Sequence, residues 1–124
     1  MGRVVAAFAA GAPGAIEYRP SFVDGIGGRG LLNEMWPLAA SLLAGSCVVS
    51  LEEIAAAIRL LVGRARTVAE GAGAASLAAV LAGRPAAGAR GAIVLRPDGP
   101  IVCIVSGGNL DPAKLATVLK GRVP

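Results

Sequence analysis

The chain has 124 residues, a length that suits one small domain; 55% of them are apolar and only 3% are aromatic. A mean hydropathy of +0.68 with 16% charged residues excludes an intrinsically disordered chain, and the lack of histidine excludes Ser–His and Cys–His couples and imidazole metal sites. The net charge of +4 comes from arginines spread along the chain without a cluster, so we expect no nucleic-acid partner.

Membrane insertion and secretion are not expected. The longest nearly uncharged apolar run, residues 35–49, is interrupted by Pro37 and Gly45, whereas a membrane-spanning helix needs about 20 apolar residues. The apolar stretch after Arg3 is short for a signal peptide. Cys47 and Cys103 each stand inside an apolar run, as buried free thiols do in a reducing compartment. We therefore predict a cytoplasmic protein.

The first half of the chain contains two predicted helices and a long connection. Residues 2–11 are predicted to form a short apolar helix that Gly11 and Pro13 end. The Gly- and Pro-rich stretch 12–30 predicts the connection, and apolar residues at helical spacing predict a helix over residues 31–43, with Pro37 in its first turn. Residues 47–49 are a short apolar run, which favours a buried strand.

The clearest predicted helix begins after Ser50. Ser50 and Glu53 have the spacing of a capping box, and apolar residues recur on one face as far as residue 65. Acidic residues stand at its start and arginines towards its end, which suits the helix dipole. E-G-A-G at residues 70–73 breaks the pattern, and a short Ala-rich helix is predicted over residues 74–82.

Residues 92–95 and 101–105 are predicted strands, and the turn residues 97–100 between them predict a hairpin. S-G-G-N follows at residues 106–109, and Asp111 and Pro112 begin a last helix. Helices that alternate with short, fully apolar strands predict an α/β fold with a buried, largely parallel sheet. Three or four short strands do not complete a sheet, so we expect part of a larger domain or a protein that needs a partner.

Two glycine-rich segments and a few charged residues are candidates for chemistry. Residues 25–30 match G-x-G-x-x-G, but no buried strand is predicted before them; a flexible loop is therefore favoured, with dinucleotide binding as the alternative. The S-G-G-N segment lies where α/β sheets bind ligands, although an ordinary tight loop has the same pattern. Glu70 is either an exposed carboxylate at a helix start or part of a site. Lys114 and Lys120 lie on the last helix and are not placed to carry a cofactor.

Four blocks in order resemble the C-terminal part of the threonine dehydratases and serine racemases, which are pyridoxal-phosphate enzymes of the tryptophan-synthase-β-like fold. The blocks are V-D-G-I at 23–26, C-V-V-S at 47–50 running into Glu53-Ile54, E-G-A-G-A at 70–74 and V-S-G-G-N-L-D at 105–111. They cover about residues 20–112. The resemblance implies that residues 1–124 form a single partial domain, the C-terminal portion of that α/β fold.

The resemblance also implies pyridoxal phosphate as the cofactor and assigns residues to it. Ser106 would hydrogen-bond the pyridine nitrogen, and a neutral hydroxyl does not force that nitrogen to stay protonated, which suits α,β-elimination. Gly107 and Asn109 would shape that end of the pocket. Gly25 would lie against the cofactor plane, and Glu70 would border the pocket. The implied activity is a lyase of amino-acid metabolism, a threonine or serine dehydratase that converts a small amino acid to a 2-oxo acid.

Two parts of the family pattern are not found in these residues. The lysine that holds the cofactor belongs to an S-x-K-x-R-G-A segment, and a Gly-rich loop binds its phosphate; both precede the matched blocks in the family, so no catalytic residue is assigned here. Val23 replaces the usual alanine, extra residues stand between Leu81 and Ser106, and no regulatory domain is expected after Pro124.

We therefore expect the isolated chain to be inactive and to need the N-terminal part of the enzyme or a partner chain, the complete enzyme being a homo-oligomer. The alternative is a non-catalytic remnant or one piece of a split enzyme. The sequence leaves open the choice between threonine and serine, and between a dehydratase and a racemase.

Overall fold

The computed structural model describes residues 3–83, 86–88, 91–93 and 99–124. The chain divides into two compact units. The first comprises the described parts of Met1–Arg19, Gly28–Val48 and Gly83–Arg96, and the second those of Pro20–Gly27, Val49–Ala82 and Pro97–Pro124. The elements in chain order are α1 (Arg3–Ala10), a 3₁₀ turn (Asn33–Met35), α2 (Trp36–Leu42), α3 (Leu51–Leu60), a π-helical turn (Leu61–Ala65), α4 (Gly71–Ala82), β1 (Ala86–Gly88), β2 (Gly91–Ile93) and α5 (Pro112–Leu119).

The first unit contains α1, which confirms the short apolar helix predicted over residues 2–11. Gly11 ends this helix with a φ of +67°, a conformation that glycine adopts without strain, and the Ala12 N–H donates to the Ala7 carbonyl at 3.2 Å. Phe8 is buried and meets the Trp36 ring edge-on, with centroids 5.5 Å apart. The predicted connection over residues 12–30 is confirmed, since its described backbone forms only an isolated antiparallel bridge and turns.

The helix predicted over residues 31–43 is shorter than expected. A 3₁₀ turn precedes α2, and Pro37 lies in the first turn of α2, where the missing N–H costs nothing. Of the apolar face that the spacing predicts, Leu32 and Leu42 are exposed by 68% and 73%. The periodicity therefore identified the helix but did not identify a face that this chain buries.

The predicted hairpin is wrong in its pairing. β2 pairs antiparallel with the preceding strand β1, with Ala92 opposite Ala87, and not with residues 101–105. Residues 94–98, which include part of the predicted strand and turn, lie outside the described residues. Residues 47–49 and 101–105 form no strand. The alternation of helices with buried strands is therefore not confirmed, and the described part of the chain is mostly helical.

The start of α3 follows the predicted capping box. The Ser50 hydroxyl accepts from the Glu53 N–H at 3.2 Å, and the Glu53 carboxylate accepts from the Ser50 N–H at 2.7 Å. A backbone hydrogen bond and a bond with the Ser50 side chain lower the pKa of Glu52 below its ordinary value of 4.5. Because the folded-state pKa is depressed, the stabilisation from Glu52 is present above pH 4.5 and is lost as the pH falls through the folded-state pKa.

Replacing Ser50 by alanine is expected to lower the free energy of unfolding by about 1 kcal/mol, because the Glu53 N–H loses its acceptor. Urea denaturation followed by circular dichroism measures the change. Ser50→Thr keeps the hydroxyl and should recover most of the loss. Equal stability of Ser50→Ala and the parent chain would contradict the assignment of this cap.

The core of the second unit is built from small side chains, as the composition predicts. α3 and α4 pack together, and α5 lies on α3, where Arg59 Nη1 donates to the Val118 carbonyl at 3.4 Å. α4 begins at Gly71 instead of residue 74. Gly71 and Gly73 are helix breakers by propensity, but their close tertiary contacts hold them in the helix. The buried members of this core are Phe22, Val23, Ile54, Ala55, Ala57, Ile58, Ala69, Ala74, Ala78 and Val118.

Two further sequence predictions concern compartment and membranes. Cys47 and Cys103 are free thiols, but each is half-buried and not buried as predicted. Among the helices that the structure describes, none combines the length and the apolar character needed to cross a bilayer.

Candidate functional site

Three of the sequence blocks meet in the second unit: V-D-G-I at 23–26, E-G-A-G-A at 70–74 and S-G-G-N at 106–109. Glu70 stands immediately before α4, and its N–H donates to the Gly107 carbonyl at 3.0 Å. Its own carbonyl accepts from the Ala74 N–H at 3.0 Å and so joins the first turn of the helix. Glu70 therefore links the start of α4 to the 106–109 loop through its backbone.

Glycine lets these backbones approach closely. A Cβ on Gly73 would lie 2.6 Å from the Gly107 carbonyl oxygen, and one on Gly108 would lie 2.9 Å from the Val68 carbonyl oxygen. Both neighbours are backbone atoms, which cannot rotate away as the end of a side chain can. Glycine at these two positions is therefore a condition for the 66–74 and 106–109 segments to lie together.

The Glu70 carboxylate lies between two further glycines. A Cβ on Gly107 would overlap Glu70 Oε1 and lie 2.9 Å from Glu70 Cδ, and one on Gly25 would lie 3.4 Å from the same oxygen. Glu70 is half-buried. The side chain thus turns towards the glycines. Glu70 stands at a helix start, but it is not the exposed carboxylate that the sequence offered as one alternative, and its part in a site stays a prediction.

The V-D-G-I block is held by α4. A Cβ on Gly71 would lie 2.7 Å from Val23 Cγ2, and Val23 is buried in the core. Only a glycine at the first position of α4 accommodates the branched side chain of Val23. This contact places Gly25, two residues later, beside Glu70 and Ala72.

Ser106 and Asn109 complete the set that the resemblance assigns. Both residues are exposed, and neither side chain has a hydrogen-bond partner in the part of the chain that the structure describes. Their backbone positions flank Gly107 and Gly108, so both side chains start from the loop that contacts Glu70. The structure thus brings Gly25 and Gly107 close to Glu70, and the roles of these residues towards a cofactor stay a prediction.

Other candidates are placed outside this cluster. Ser50, the last residue of the C-V-V-S block, caps α3 and so has a structural role. Lys114 lies on α5 and Lys120 at its C-terminal cap, and both are exposed. The G-x-G-x-x-G match has no strand before it within the described residues; Gly27 N–H donates to the Asp24 carbonyl at 2.8 Å in a turn. The strand–loop–helix context of a dinucleotide site is therefore not found there.

Ser76 was not singled out by the sequence. Its hydroxyl, on α4, donates to the Ile104 carbonyl at 2.9 Å. This bond connects the segment that precedes the 106–109 loop to the helix. A serine within an Ala-rich helix carries no pattern that would reveal this long-range partner. The contact depends on which segment packs beside α4, which periodicity does not predict.

The chemistry of the cluster suits an uncharged, flat group better than an anionic one. The polar side chains of the three blocks are one hydroxyl, one amide and the two carboxylates of Asp24 and Glu70, and no arginine or lysine belongs to these blocks. A hydroxyl and an amide can donate to or accept from a heteroaromatic ring edge. Gly25 is exposed and leaves surface without a side chain, against which such a ring can lie, whereas the space beside Gly107 is taken by the Glu70 carboxylate.

Comparison with known proteins identifies relatives over almost the whole chain. The sequence profile of the family described as pyridoxal-phosphate dependent enzyme matches residues 2–107. An L-threonine ammonia-lyase of Geobacter sulfurreducens is 34% identical over 100 residues, which are 81% of this chain and 23% of that protein. An L-threonine ammonia-lyase of Thermotoga maritima is 34% identical over 124 residues, which are 99% of this chain and 28% of that protein. The chain therefore spans about a quarter of the length of these relatives.

Proposed function

Because this chain belongs to the family of pyridoxal-phosphate dependent enzymes, we propose that it is the C-terminal segment of a threonine or serine dehydratase. The complete enzyme would remove water and then ammonia from a small hydroxy amino acid and release a 2-oxo acid. The two L-threonine ammonia-lyases, which align with 81% and 99% of this chain, support that substrate class. The tryptophan-synthase-β-like fold of the family supports reading residues 1–124 as one partial domain of this enzyme.

One observation carries the proposal beyond family membership. The blocks at 23–26, 70–74 and 106–109 are far apart in sequence, yet Glu70 is hydrogen-bonded to Gly107 and its carboxylate lies close to both Gly107 and Gly25. If the three blocks only built separate helices and loops, we would not expect their glycines to lie around one carboxylate. Their convergence supports a shared site.

The residues of the cluster fit the ring of pyridoxal phosphate. When bound, this cofactor supplies an electron sink for the carbon from which the substrate proton leaves. Ser106 would hold the ring nitrogen by a hydrogen bond from or to its neutral hydroxyl, and Asn109 would border the same edge. Gly25 would lie against the ring plane, Gly107 would shape the end of the pocket beside Ser106, and the Glu70 carboxylate would border the pocket and orient polar groups at the ring edge.

The phosphate and the covalent attachment need groups that the cluster does not offer. No cationic side chain stands in the three blocks, and the two lysines of the sequence lie on α5 and at its cap. We propose that an N-terminal part of the enzyme, joined to this chain or supplied as a partner chain, contributes the lysine and the phosphate loop. The exposed Val102 and Ile104, at 86% and 73%, support such a partner, since a fully apolar segment is typical of a strand that is covered on both faces.

A second candidate is a non-catalytic remnant that survives without its partner. The observation that favours it is the exposure of Gly25, Ser106 and Asn109, which leaves the proposed ring site open in this chain. An open site does not exclude water from a reaction. A single complementation experiment separates the two candidates.

The test supplies the N-terminal part of the Thermotoga maritima L-threonine ammonia-lyase as a second chain and measures 2-oxo acid formation from L-threonine and L-serine. We expect product from the mixture with added pyridoxal phosphate and none from this chain alone. Ser106→Ala should lower the rate at least tenfold, a loss on the scale of one misplaced hydrogen bond at a reacting group, roughly 1–3 kcal/mol.

The matched control is Ser41→Ala, which removes a serine hydroxyl from α2; among the residues that the structure describes, the bond of this hydroxyl is to the Leu38 carbonyl of its own helix. This variant should keep the rate of the parent mixture. Full activity of Ser106→Ala would overturn the role given to Ser106. No product from a mixture in which the two chains co-purify would favour the remnant.

A further inference from the structure

Ser76 holds residues 101–105, the segment before the 106–109 loop, by a side-chain hydrogen bond. Its hydroxyl donates to the Ile104 carbonyl at 2.9 Å, across 28 residues of sequence. Ile104 is two residues before Ser106, so this bond fixes the backbone from which the Ser106 side chain starts. The chain from Ile104 to Gly107 is thus joined to α4 by the Ser76–Ile104 bond, by the bond from the Glu70 N–H to the Gly107 carbonyl, and by the close approach of Gly73 to Gly107.

The segment that Ser76 holds has little other support within the described residues. Ile101, Val102 and Ile104 are exposed, so apolar burial does not fix them in this chain. Residues 101–105 form no strand, so no ladder of backbone hydrogen bonds fixes them either. The hydrogen bond from Ser76 therefore influences the position of this segment strongly. A single exposed bond in a helix or sheet has less influence, because neighbouring backbone bonds already fix the segment there.

We infer that Ser76 is a positioning residue of the site, which sets the distance between the Ser106 hydroxyl and the Glu70 carboxylate by anchoring Ile104 to α4. The inference rests on the proposed function in so far as it gives the 106–109 loop a cofactor to hold. Ser76 itself is not placed in contact with cofactor or substrate. Its effect travels through the backbone from residue 104 to Gly107.

The structure supplies a reporter for this role that needs no cofactor. The Glu70 amide donates to the Gly107 carbonyl, so its hydrogen exchange reports whether the loop stays against α4. The Ala74 amide donates to the Glu70 carbonyl inside the helix start and reports whether α4 itself stays formed. The two amides separate a displaced loop from a generally loosened fold.

The experiment measures amide exchange by NMR in the 124-residue chain and in its Ser76→Ala, Ser76→Thr and Ser41→Ala variants. In Ser76→Ala, exchange at Glu70 should rise roughly threefold to tenfold, the effect of one lost hydrogen bond, while exchange at Ala74 stays within twofold. Ser76→Thr, which keeps the hydroxyl, should restore slow exchange at Glu70. Ser41→Ala removes a hydroxyl that bonds within its own helix and should change neither amide.

A second measurement uses the complemented mixture with the N-terminal part of the Thermotoga maritima relative. Ser76→Ala should raise the concentration of pyridoxal phosphate at half-saturation by a similar factor, and Ser76→Thr should restore it. Unchanged exchange at Glu70 in Ser76→Ala would overturn the positioning role, whatever the mixture does. Faster exchange at Glu70 in a mixture that never binds pyridoxal phosphate would instead overturn the proposed function, and with it the site that Ser76 is said to position.

Discussion

Replacing Gly73 by alanine is expected to separate the 106–109 loop from α4. The new Cβ would lie 2.6 Å from the Gly107 carbonyl oxygen and 3.1 Å from the Gly107 nitrogen, and both are backbone atoms. The strain can be relieved only by moving the loop or the start of the helix, and either movement breaks the bond from the Glu70 N–H to the Gly107 carbonyl. In the complemented mixture this variant should lose most of its activity.

The matched control is Gly63→Ala in the π-helical turn, where a Cβ meets nothing within 4 Å. Both substitutions gain the helix propensity of alanine, about 1 kcal/mol, so their difference isolates the steric term. We expect Gly73→Ala to be less stable than Gly63→Ala by about 1–3 kcal/mol, the usual cost of overpacking. Equal urea midpoints and equal exchange rates at the Glu70 amide would contradict the close approach of the two segments.

Truncating Ile58 to alanine is expected to cause the largest loss of stability in the second unit. Ile58 is fully buried on α3, within a core whose other members are mostly alanine and valine. Small neighbours fixed on helices cannot move into the space that a removed isoleucine leaves. The free energy of unfolding should fall by about 2–5 kcal/mol, a large part of the total for a domain of this size.

Leu60→Ala on the same helix is the matched control for this change. Leu60 is exposed by 39%, so its truncation removes less packing and leaves no closed cavity. Urea denaturation followed by circular dichroism should show a shift for Leu60→Ala that is less than half of the shift for Ile58→Ala. Equal shifts would contradict the assignment of the core to the face of α3 that carries Ile54 and Ile58.

The helices could be predicted from the sequence because local chemistry sets their ends. The reciprocal bonds of Ser50 and Glu53 fix the start of α3, and Asp111, which accepts from the Ala113 and Lys114 N–H groups, fixes the start of α5. Gly11 ends α1 with a positive φ. Each of these signals lies within five residues of the helix end that it determines.

The strands could not be predicted in the same way. A short apolar run becomes a strand only when another strand pairs with it, and residues 101–105 have no such neighbour in the part of the chain described. The start of α4 was missed for a related reason, since Gly71 and Gly73 are helix breakers by propensity and helical here because of Val23 and Gly107. Tertiary contacts override propensity at both places.

The candidate site contains residues that the sequence predicted and one that it did not. Gly25, Glu70 and Gly107 could be predicted as a set through the resemblance of their blocks to one family, and the structure places both glycines close to Glu70. The contribution of Ser76 could not, because its partner is a backbone carbonyl that any residue at position 104 would provide. Sequence motifs identify residues whose side chains carry chemistry. They do not identify residues such as Ser76, whose side chain holds a backbone segment in place.

The central claim is that the three blocks form the part of a pyridoxal-phosphate site that contacts the pyridine ring. A chemical-shift map is the most direct test of this claim. The isotopically labelled chain is mixed with the unlabelled N-terminal part of the Thermotoga maritima relative, and pyridoxal phosphate is added to saturation. We predict that the largest amide shifts occur at Gly25, Glu70 and residues 106–109. Binding of the cofactor with shifts confined to other segments, such as residues 28–48 of the first unit, would contradict the account.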